Sequence, residues 1–287
     1  MADFVGTLVI GFISALFVAL AWWLLISTEG VYLGRRVVIR LYDLYAHRYD
    51  DIKNYHPDFE QWLLANPILG AIEPHQSPLV LDVASGTGRL PLALLNHADF
   101  HGHIIGLDLS RRMLNLAAYK LQGYQDRVSL LWSPAETLPF ADGTFDVVTC
   151  LEALEFMTSP KNVLQELVRV LRPGGLLLVS NRVSTRLMPG KTWSDDEVHE
   201  LLSGFNMEMV EIEPWQMDYY KVWGLKAGDS QPTGARPLAE VLRCPRCMDK
   251  PMVKQGELWL CEGCSGQARI ARDGVVELYP LYQQTPH

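Results

Sequence analysis

The strongest constraint on this chain is a stretch without charge. No Asp, Glu, Lys or Arg occurs between Asp3 and Glu29, and the segment from Phe4 to Ser27 reads FVGTLVIGFISALFVALAWWLLIS. As a helix rising 1.5 Å per residue it reaches ~36 Å, enough to cross a hydrocarbon layer of ~30 Å. Trp22 and Trp23 fall near its end, where aromatic rings settle at a membrane–water boundary. A cleaved signal peptide has a basic start, a shorter apolar core and small residues at the cleavage site. Here the start carries Asp3 and the end is Trp-Trp-Leu-Leu-Ile, so a retained single-pass anchor over residues 1–30 is expected. Arg35, Arg36 and Arg40 follow the span and only Asp3 precedes it. Positive residues stay on the cytoplasmic side, which predicts a membrane protein with its C-terminal domains in the cytoplasm.

The remaining chain is ample for a packed core: 287 residues, 48% hydrophobic, argue for about two units. The formal net charge of −8 repels polyanions on average, so nucleic acid is not an expected partner. Directly after the anchor, Val38, Leu41, Tyr42, Tyr45 and Tyr49 recur at helical spacing, with Arg36, Arg40, Asp43, His47 and Asp50 on another face. This amphipathic helix either packs on the following domain or folds over a ligand; the two readings are compatible.

From residue 79 onward, short apolar runs alternate with helical patterns. Strands are expected at Leu79–Val83, Ile104–Asp108, Val128–Trp132, Asp146–Cys150 and Leu176–Ser180, with a closing hairpin from Met207–Glu213 and Trp215–Trp223. Helices are expected over Pro91–Leu95, Arg111–Leu121 and Asn162–Leu171, and Ser194 to Glu197 matches a capping box opening a helix that stops near Gly204. Such alternation predicts an α/β fold, a doubly wound, mainly parallel sheet covered on both faces. Ligands of such sheets lie beyond the carboxyl ends of the strands. The first strand runs into Asp82-Val-Ala-Ser-Gly86-Thr-Gly88, glycines that let backbone approach a ligand. The loop lacks both G-x-G-x-x-G spacing and a Gly-Lys-Ser/Thr, which argues against dinucleotides and nucleoside triphosphates. Asp108 ends the second strand, 22 residues beyond Gly86, where a carboxylate accepts hydrogen bonds from both hydroxyls of a ribose. Taken alone it could equally cap a helix; beside the glycine loop, the ribose role dominates.

Four motifs in order, LDVASGTGR, GLDLS, SPAETLPFADGTFDVVTC and ELVRVLRPGGLLLVS, resemble the class I S-adenosylmethionine-dependent methyltransferases, above all the ubiquinone/menaquinone-type branch. The resemblance covers roughly Tyr42 to Lys226. It implies a Rossmann-like seven-stranded sheet whose last strand is antiparallel, with S-adenosylmethionine as methyl donor. By the same resemblance Asp82 holds the methionine amino group, with the backbone of Ala84, Gly86 and Gly88 nearby. The resemblance further implies that Asp108 binds the ribose, that Leu109 or Met113 packs on the adenine, that the backbone of Ala135 meets the adenine edge with Ser133 at the place of the adenine amino group, and that Cys150 and Leu151 line the methionine end. Three departures stand out: Ala84 where the family often has Gly, Ser133 where it often has Asp, and Phe156 where some relatives carry His. An oxygen or carbon acceptor still needs its proton removed, and Glu155, Glu152, His47 and Tyr49 are the candidates.

Lys226 to Pro237 is rich in Gly, Pro, Ser and Asp and reads as a linker. Beyond it Cys244, Cys247, Cys261 and Cys264 form a C-x2-C-x13-C-x2-C pattern, close to a four-cysteine structural zinc site. Two disulfides are the alternative, but cytoplasmic thiols stay reduced. LAEVLRCPRC, LWLCEGC and ARDGVVELYP also resemble a small zinc-ribbon protein that partners and activates methyltransferases of tRNA, release factors and rRNA. That implies a stabilising or activating module fused in cis. The expected organisation is an anchor (1–30), a methyltransferase domain (31–225), a linker (226–237) and a zinc ribbon (238–287). The leading expectation is a membrane-anchored methyltransferase acting on a lipophilic small molecule: a quinone, isoprenoid, pigment or lipid. Its expected partners are the bilayer, through residues 4–27, and that acceptor. The alternatives are methylation of a protein or tRNA, and a non-catalytic accessory subunit of a membrane protein complex.

Overall fold

The computed structural model describes residues 2–183, 192–248 and 250–283. The first helix, α1 (Ala2–Trp22), continues through a wider π-helical turn at Trp23–Ser27. Together Phe4–Ser27 form one helix long and apolar enough to cross a membrane; it is exposed along most of its length, and only near its end does Trp23 stack on Tyr32. Thr28 and Gly30 then turn the chain back and are buried. A layer of short helices follows: α2 (Arg35–Tyr45), α3 (Tyr49–Lys53), α4 (Pro57–Glu60) and α5 (Asn66–Ala71). The stripe expected to form one helix is thus broken at Ala46–Arg48, which is a 3-10 turn. Val38, Tyr42 and Tyr49 still face inward, whereas Tyr45 is exposed.

The strands are β1 (Leu79–Val83), β2 (His103–Asp108), β3 (Val128–Trp132), β4 (Phe145–Cys150), β5 (Leu171–Arg182), β6 (Met207–Gln216) and β7 (Tyr219–Lys226). Four short strands complete the sheet: β8 (Met252–Gln255), β9 (Leu258–Cys261), β10 (Gln267–Ile270) and β11 (Val276–Glu277). Their order is β6-β7-β5-β4-β1-β2-β3-β11-β10-β9-β8. The first seven are the expected methyltransferase sheet, with β7 antiparallel to both neighbours. The expected count of seven grows to eleven because β11 pairs in parallel with β3, Val276 opposite Leu131 and Glu277 opposite Trp132. Every residue of β1 and β4 is buried, as strands covered on both faces must be. The hairpin turns at Met217–Asp218, later than expected, so Trp215 belongs to β6. Pro214 does not end β6 because an edge strand tolerates a residue that cannot donate to the ladder.

Helices α6 (Arg89–Leu95), α7 (Arg111–Lys120), α8 (Pro160–Val170) and α9 (Asp195–Gly204) cover the faces. α9 opens with the expected capping box between Ser194 and Glu197. In the tail, α10 (Leu238–Val241) precedes the ribbon and α11 (Tyr279–Tyr282) follows it. The segment between β7 and α10 has no regular structure, yet it is pinned at the amino ends of the strands. There the Asp146 carboxylate accepts hydrogen bonds from Leu79 N, Thr233 N and Gly234 N, and from Arg172 Nε. The opposite, carboxyl ends of β1, β2, β4 and β5 are left to build the site.

Candidate active site

The loop after β1 is shaped by its side chains. Asp82 is buried and accepts from Ser85 Oγ and Thr149 Oγ1, each at 2.7 Å. Gly86 and Ala84 both adopt left-handed backbone, φ 54° and 59°. A Cβ on Gly86 would meet nothing within 4 Å, so this glycine leaves an open face for a ligand. Gly88 serves packing instead: a Cβ there would come to 3.1 Å from Leu121 and 3.3 Å from Ala117. Asp108 closes the loop, accepting from Gly86 N at 2.8 Å and Ser110 N at 2.7 Å. Burial pushes both Asp82 and Asp108 up to about 6.

Above this loop lies a cleft of about 780 Å³. One wall is Leu109, Met113, Ser133 and Ala135; the other is Leu151, Ala153, Phe156 and Met157; α2 and α3 roof it with Val38, Tyr42 and Tyr49. Tyr42 lies edge-on to Phe156 with ring centroids 5.8 Å apart. A smaller hollow adjoins it, lined by Asp82, Thr87, Arg89 and Tyr55. Most residues singled out in the sequence therefore converge. Gly88, Cys150 and the candidate base Glu155 do not line either space; Cys150 and Glu155 are buried. His47 is exposed.

The two acidic candidates differ sharply. Glu152 is saturated: it accepts from Arg89 Nη1 at 2.6 Å, Lys53 Nζ at 2.7 Å and Gln216 Nε2 at 2.9 Å. Burial opposes its charge, but Lys53 and Arg89 hold its carboxyl below the usual range. Glu155 is also buried, accepts one short hydrogen bond from Tyr219 Oη, and is pushed up by burial to about 6. Tyr49 is held far above the usual phenol range by burial. Arg89 was not assigned a role from the sequence. It is packed against the rings of Tyr55 (4.0 Å) and Trp215 (4.8 Å) and bonded to Glu60 at 2.5 Å. Its signal was its place directly after the glycine loop.

The C-terminal strands brace the same wall. Arg111, opening α7, donates two hydrogen bonds of 2.8 Å to Asp273 and reaches Glu277 at 3.3 Å. Ser133 Oγ donates to Tyr282 Oη at 3.2 Å, and Tyr282 Oη donates to Thr137 O at 2.9 Å. The sulfurs of Cys244, Cys247, Cys261 and Cys264 all lie within 4.8 Å of one another, the nearest pairs at 3.4 and 3.7 Å. Four Zn–S bonds of about 2.3 Å in a tetrahedron require sulfurs ~3.8 Å apart, so the quartet fits a zinc ion.

The cleft likewise offers a lining compatible with S-adenosylmethionine: two buried carboxylates, Asp82 and Asp108, beside the glycine loop, and an apolar slot between Leu109 and Met113. Residues 81–179 match the family described as "Methyltransferase domain". The chain is 33% identical over 153 residues to the ubiquinone/menaquinone biosynthesis C-methyltransferase UbiE of Roseobacter denitrificans, covering 53% of this chain and 60% of that one. It is 38% identical over 109 residues to the demethylmenaquinone methyltransferase of Clavibacter sepedonicus, covering 38% and 43%. The chain thus spans roughly half the length of these relatives. In fold it is similar to a chain from the complex between the Haloferax volcanii Trm112 methyltransferase activator and a methyltransferase, with TM-score 0.54, 21% identity, and 66% of this chain and 97% of that one covered. A structure from Methanococcus maripaludis, assigned as an S-adenosyl-L-methionine-dependent methyltransferase, aligns with TM-score 0.52 and 18% identity, covering 66% and 94%. The glycine loop, the buried Asp108 and the strand order thus agree with the match over residues 81–179 to a methyltransferase domain.

Proposed function

We propose that this protein moves a methyl group from S-adenosylmethionine to a lipophilic acceptor of quinone type, at a membrane that it enters through residues 4–27. The observation that carries the reading is where the apolar helix ends. Tyr42, in the roof of the cleft, donates to the carboxylate of Glu29 at 2.8 Å, two residues beyond the apolar span. An acceptor held in the bilayer interface then reaches the cleft without exposing its apolar chain to water. The basic residues after the span, Arg35, Arg36 and Arg40, support a cytoplasmic placement of the domains.

When bound, the donor supplies a sulfonium whose methyl carbon is already activated. What the chain adds is position and dryness. Asp108 and Gly86 fix the ribose, Asp82 faces the amino group, and Tyr42, Tyr49 and Phe156 exclude water. The zinc ribbon holds Ser133 and Arg111, which places the adenine wall. The test is methyl transfer from labelled S-adenosylmethionine to membrane extracts by the full-length protein. Label in the lipid fraction supports the reading. Label confined to protein or RNA would promote the macromolecular acceptor that the activator-like tail suggests, and binding without any transfer would promote an accessory role.

A further inference from the structure

The roof of the cleft has an outer face that the site does not use. Arg35, Val38, Ile39 and Tyr42 line the cleft and take up one side of α2. Arg36, Arg40 and Leu44 fall four residues apart on the side turned away from it, and all three are exposed, Leu44 by 57%. Val37 and Leu41 pack on Gly30, and Tyr42 donates to Glu29. Residues two and three beyond the apolar span therefore hold the middle of α2 beside the span's end. Trp23, in the span, stacks on Tyr32 with ring centroids 5.3 Å apart. The 3-10 turn Val31–Leu33 thus folds back along the last turns of the span, leaving Tyr32 and Leu33 exposed. The charges on this face are basic and unspent. Arg35, on the cleft side, is paired with Glu136 at 2.8 Å. Arg36 and Arg40 make no ion pair or side-chain hydrogen bond among the described residues. The single acid of α2, Asp43, accepts from Ser110 Oγ at 2.6 Å, and exposed Arg112 donates to Asp43 O at 3.2 Å, adding positive charge beside α2. A chain of net charge −8 is repelled by an anionic surface overall, so these arginines can attract one only locally.

We propose that the outer face of α2, with the turn Val31–Leu33, is a second membrane contact specific for anionic phospholipid. Arg36 and Arg40, aided by Arg112, bind lipid phosphates, and Leu33 and Leu44 sink below the headgroups. This rests on the membrane-span reading above and adds the lipid class and the orientation of the domain: α2 lies along the bilayer surface. Exposed arginines interleaved with Leu and Tyr are the composition of a helix face that seats in the headgroup region. Continuity with the span supplies the occupant, because the turn and α2 begin where the apolar helix ends. A single span alone leaves the domain free to swing about its attachment, whereas a second contact fixes it. The opposite side of α2 is the roof of the cleft, so lipid surface and donor site share one helix. The cleft is then held at the interface, where an acceptor with an apolar chain resides. Each arginine near an anionic surface multiplies the contact's equilibrium constant by roughly five, and salt screens that gain over a Debye length of about 8 Å.

The experiment uses full-length protein in nanodiscs of phosphatidylcholine with or without phosphatidylglycerol. A thiol-reactive fluorophore is placed on Leu44→Cys and, as a control, on Tyr119→Cys, an exposed position of α7. Protein without an added cysteine, carried through the same labelling, gives the background. Quenching by lipid spin-labelled near the headgroup reads the depth of each probe. The Leu44 probe should be quenched, more strongly with phosphatidylglycerol, and the Tyr119 probe should not. Combining Arg36→Gln with Arg40→Gln should return the Leu44 probe to water while S-adenosylmethionine affinity stays at the wild-type level. A Leu44 probe that lies in water in the wild type, or whose quenching is the same in the double variant, overturns the proposal. The span is tested separately by alkaline extraction of membranes, where release of the protein refutes the span reading. The face is then judged by sedimentation with phosphatidylglycerol vesicles: a ~20-fold loss of binding in the double variant supports it, and equal binding or none refutes it.

Discussion

The two sides of the cleft are braced by opposite ends of the chain. The cofactor side leans on the C-terminal ribbon: β11 extends the sheet beyond β3, Asp273 and Glu277 hold Arg111, and Tyr282 holds Ser133. The side lined by Tyr42 and Phe156 leans on the turn after α1, where Glu29 meets Tyr42 and Arg182. A Cβ on Gly30 would come within 2.9 Å of Leu41 and 3.1 Å of Val37, so this turn is packed tightly against α2. The first brace is a folded module with its own four-cysteine cluster. The second is a few side chains at the end of an apolar helix. The difference teaches that losing the ribbon should cost folding and donor binding, whereas losing the turn should cost acceptor handling.

The largest expected effect tests the ribbon. Cys261→Ser, or zinc removal by a chelator, should unfold β8–β11, since structural zinc contributes on the order of 10 kcal/mol to such modules. Hydrogen exchange should then rise in β3 and at the start of α7, and donor affinity should weaken. Protection of β5 and β7 should be kept, and uniform loss across the sheet would break the comparison.

Next comes the donor site itself. Asp108→Ala should weaken S-adenosylmethionine by roughly 1–3 kcal/mol, read by calorimetry. The pH dependence has a definite sign. Asp108 stands at about 6 in the fold against ~3.9 unfolded, so the ligand-free protein holds a proton that the unfolded chain has released between those values. Stability of the ligand-free protein therefore falls as pH rises through that window. Donor binding needs the carboxylate, so affinity should fall as pH drops below about 6.

The turn is tested by a smaller change. Glu29→Ala removes the acceptor of the Tyr42 hydroxyl and one partner of Arg182, at a stability cost of about 1 kcal/mol. Turnover on a membrane-borne acceptor should fall while donor affinity is kept. The comparison sharpens with two truncations. Removing residues 1–27 takes the apolar span alone, whereas removing 1–30 also takes Glu29. If the two behave alike on a soluble acceptor analogue, the turn is a tether and not a brace.

The smallest effect concerns Ala84. Its φ of 59° is a conformation in which a Cβ costs ~1 kcal/mol, partly offset by the extra chain entropy of glycine. Ala84→Gly should leave donor affinity intact and raise the thermal midpoint slightly; a lowered midpoint would show that the methyl packs usefully.

What could be read in the sequence was whatever is local or periodic. The charge-free run, the strand–helix alternation, the Asp82–Gly88 loop, Asp108 and the two Cys-x2-Cys pairs each announce themselves within a few residues. Their physical causes, helix length, pleat, backbone freedom and metal geometry, are themselves short-range. The tertiary structure decided which of several plausible acids has an open oxygen. Glu152 and Glu155 lie three residues apart and look alike in sequence. One is consumed by Arg89, Lys53 and Gln216, and the other is left facing Arg182. Those partners come from α6, α3, β6 and β5, and Glu29 and Tyr282 come from opposite ends of the chain. No period or spacing marks such pairs, because long-range contacts depend on how the sheet is ordered and on which helix covers which edge.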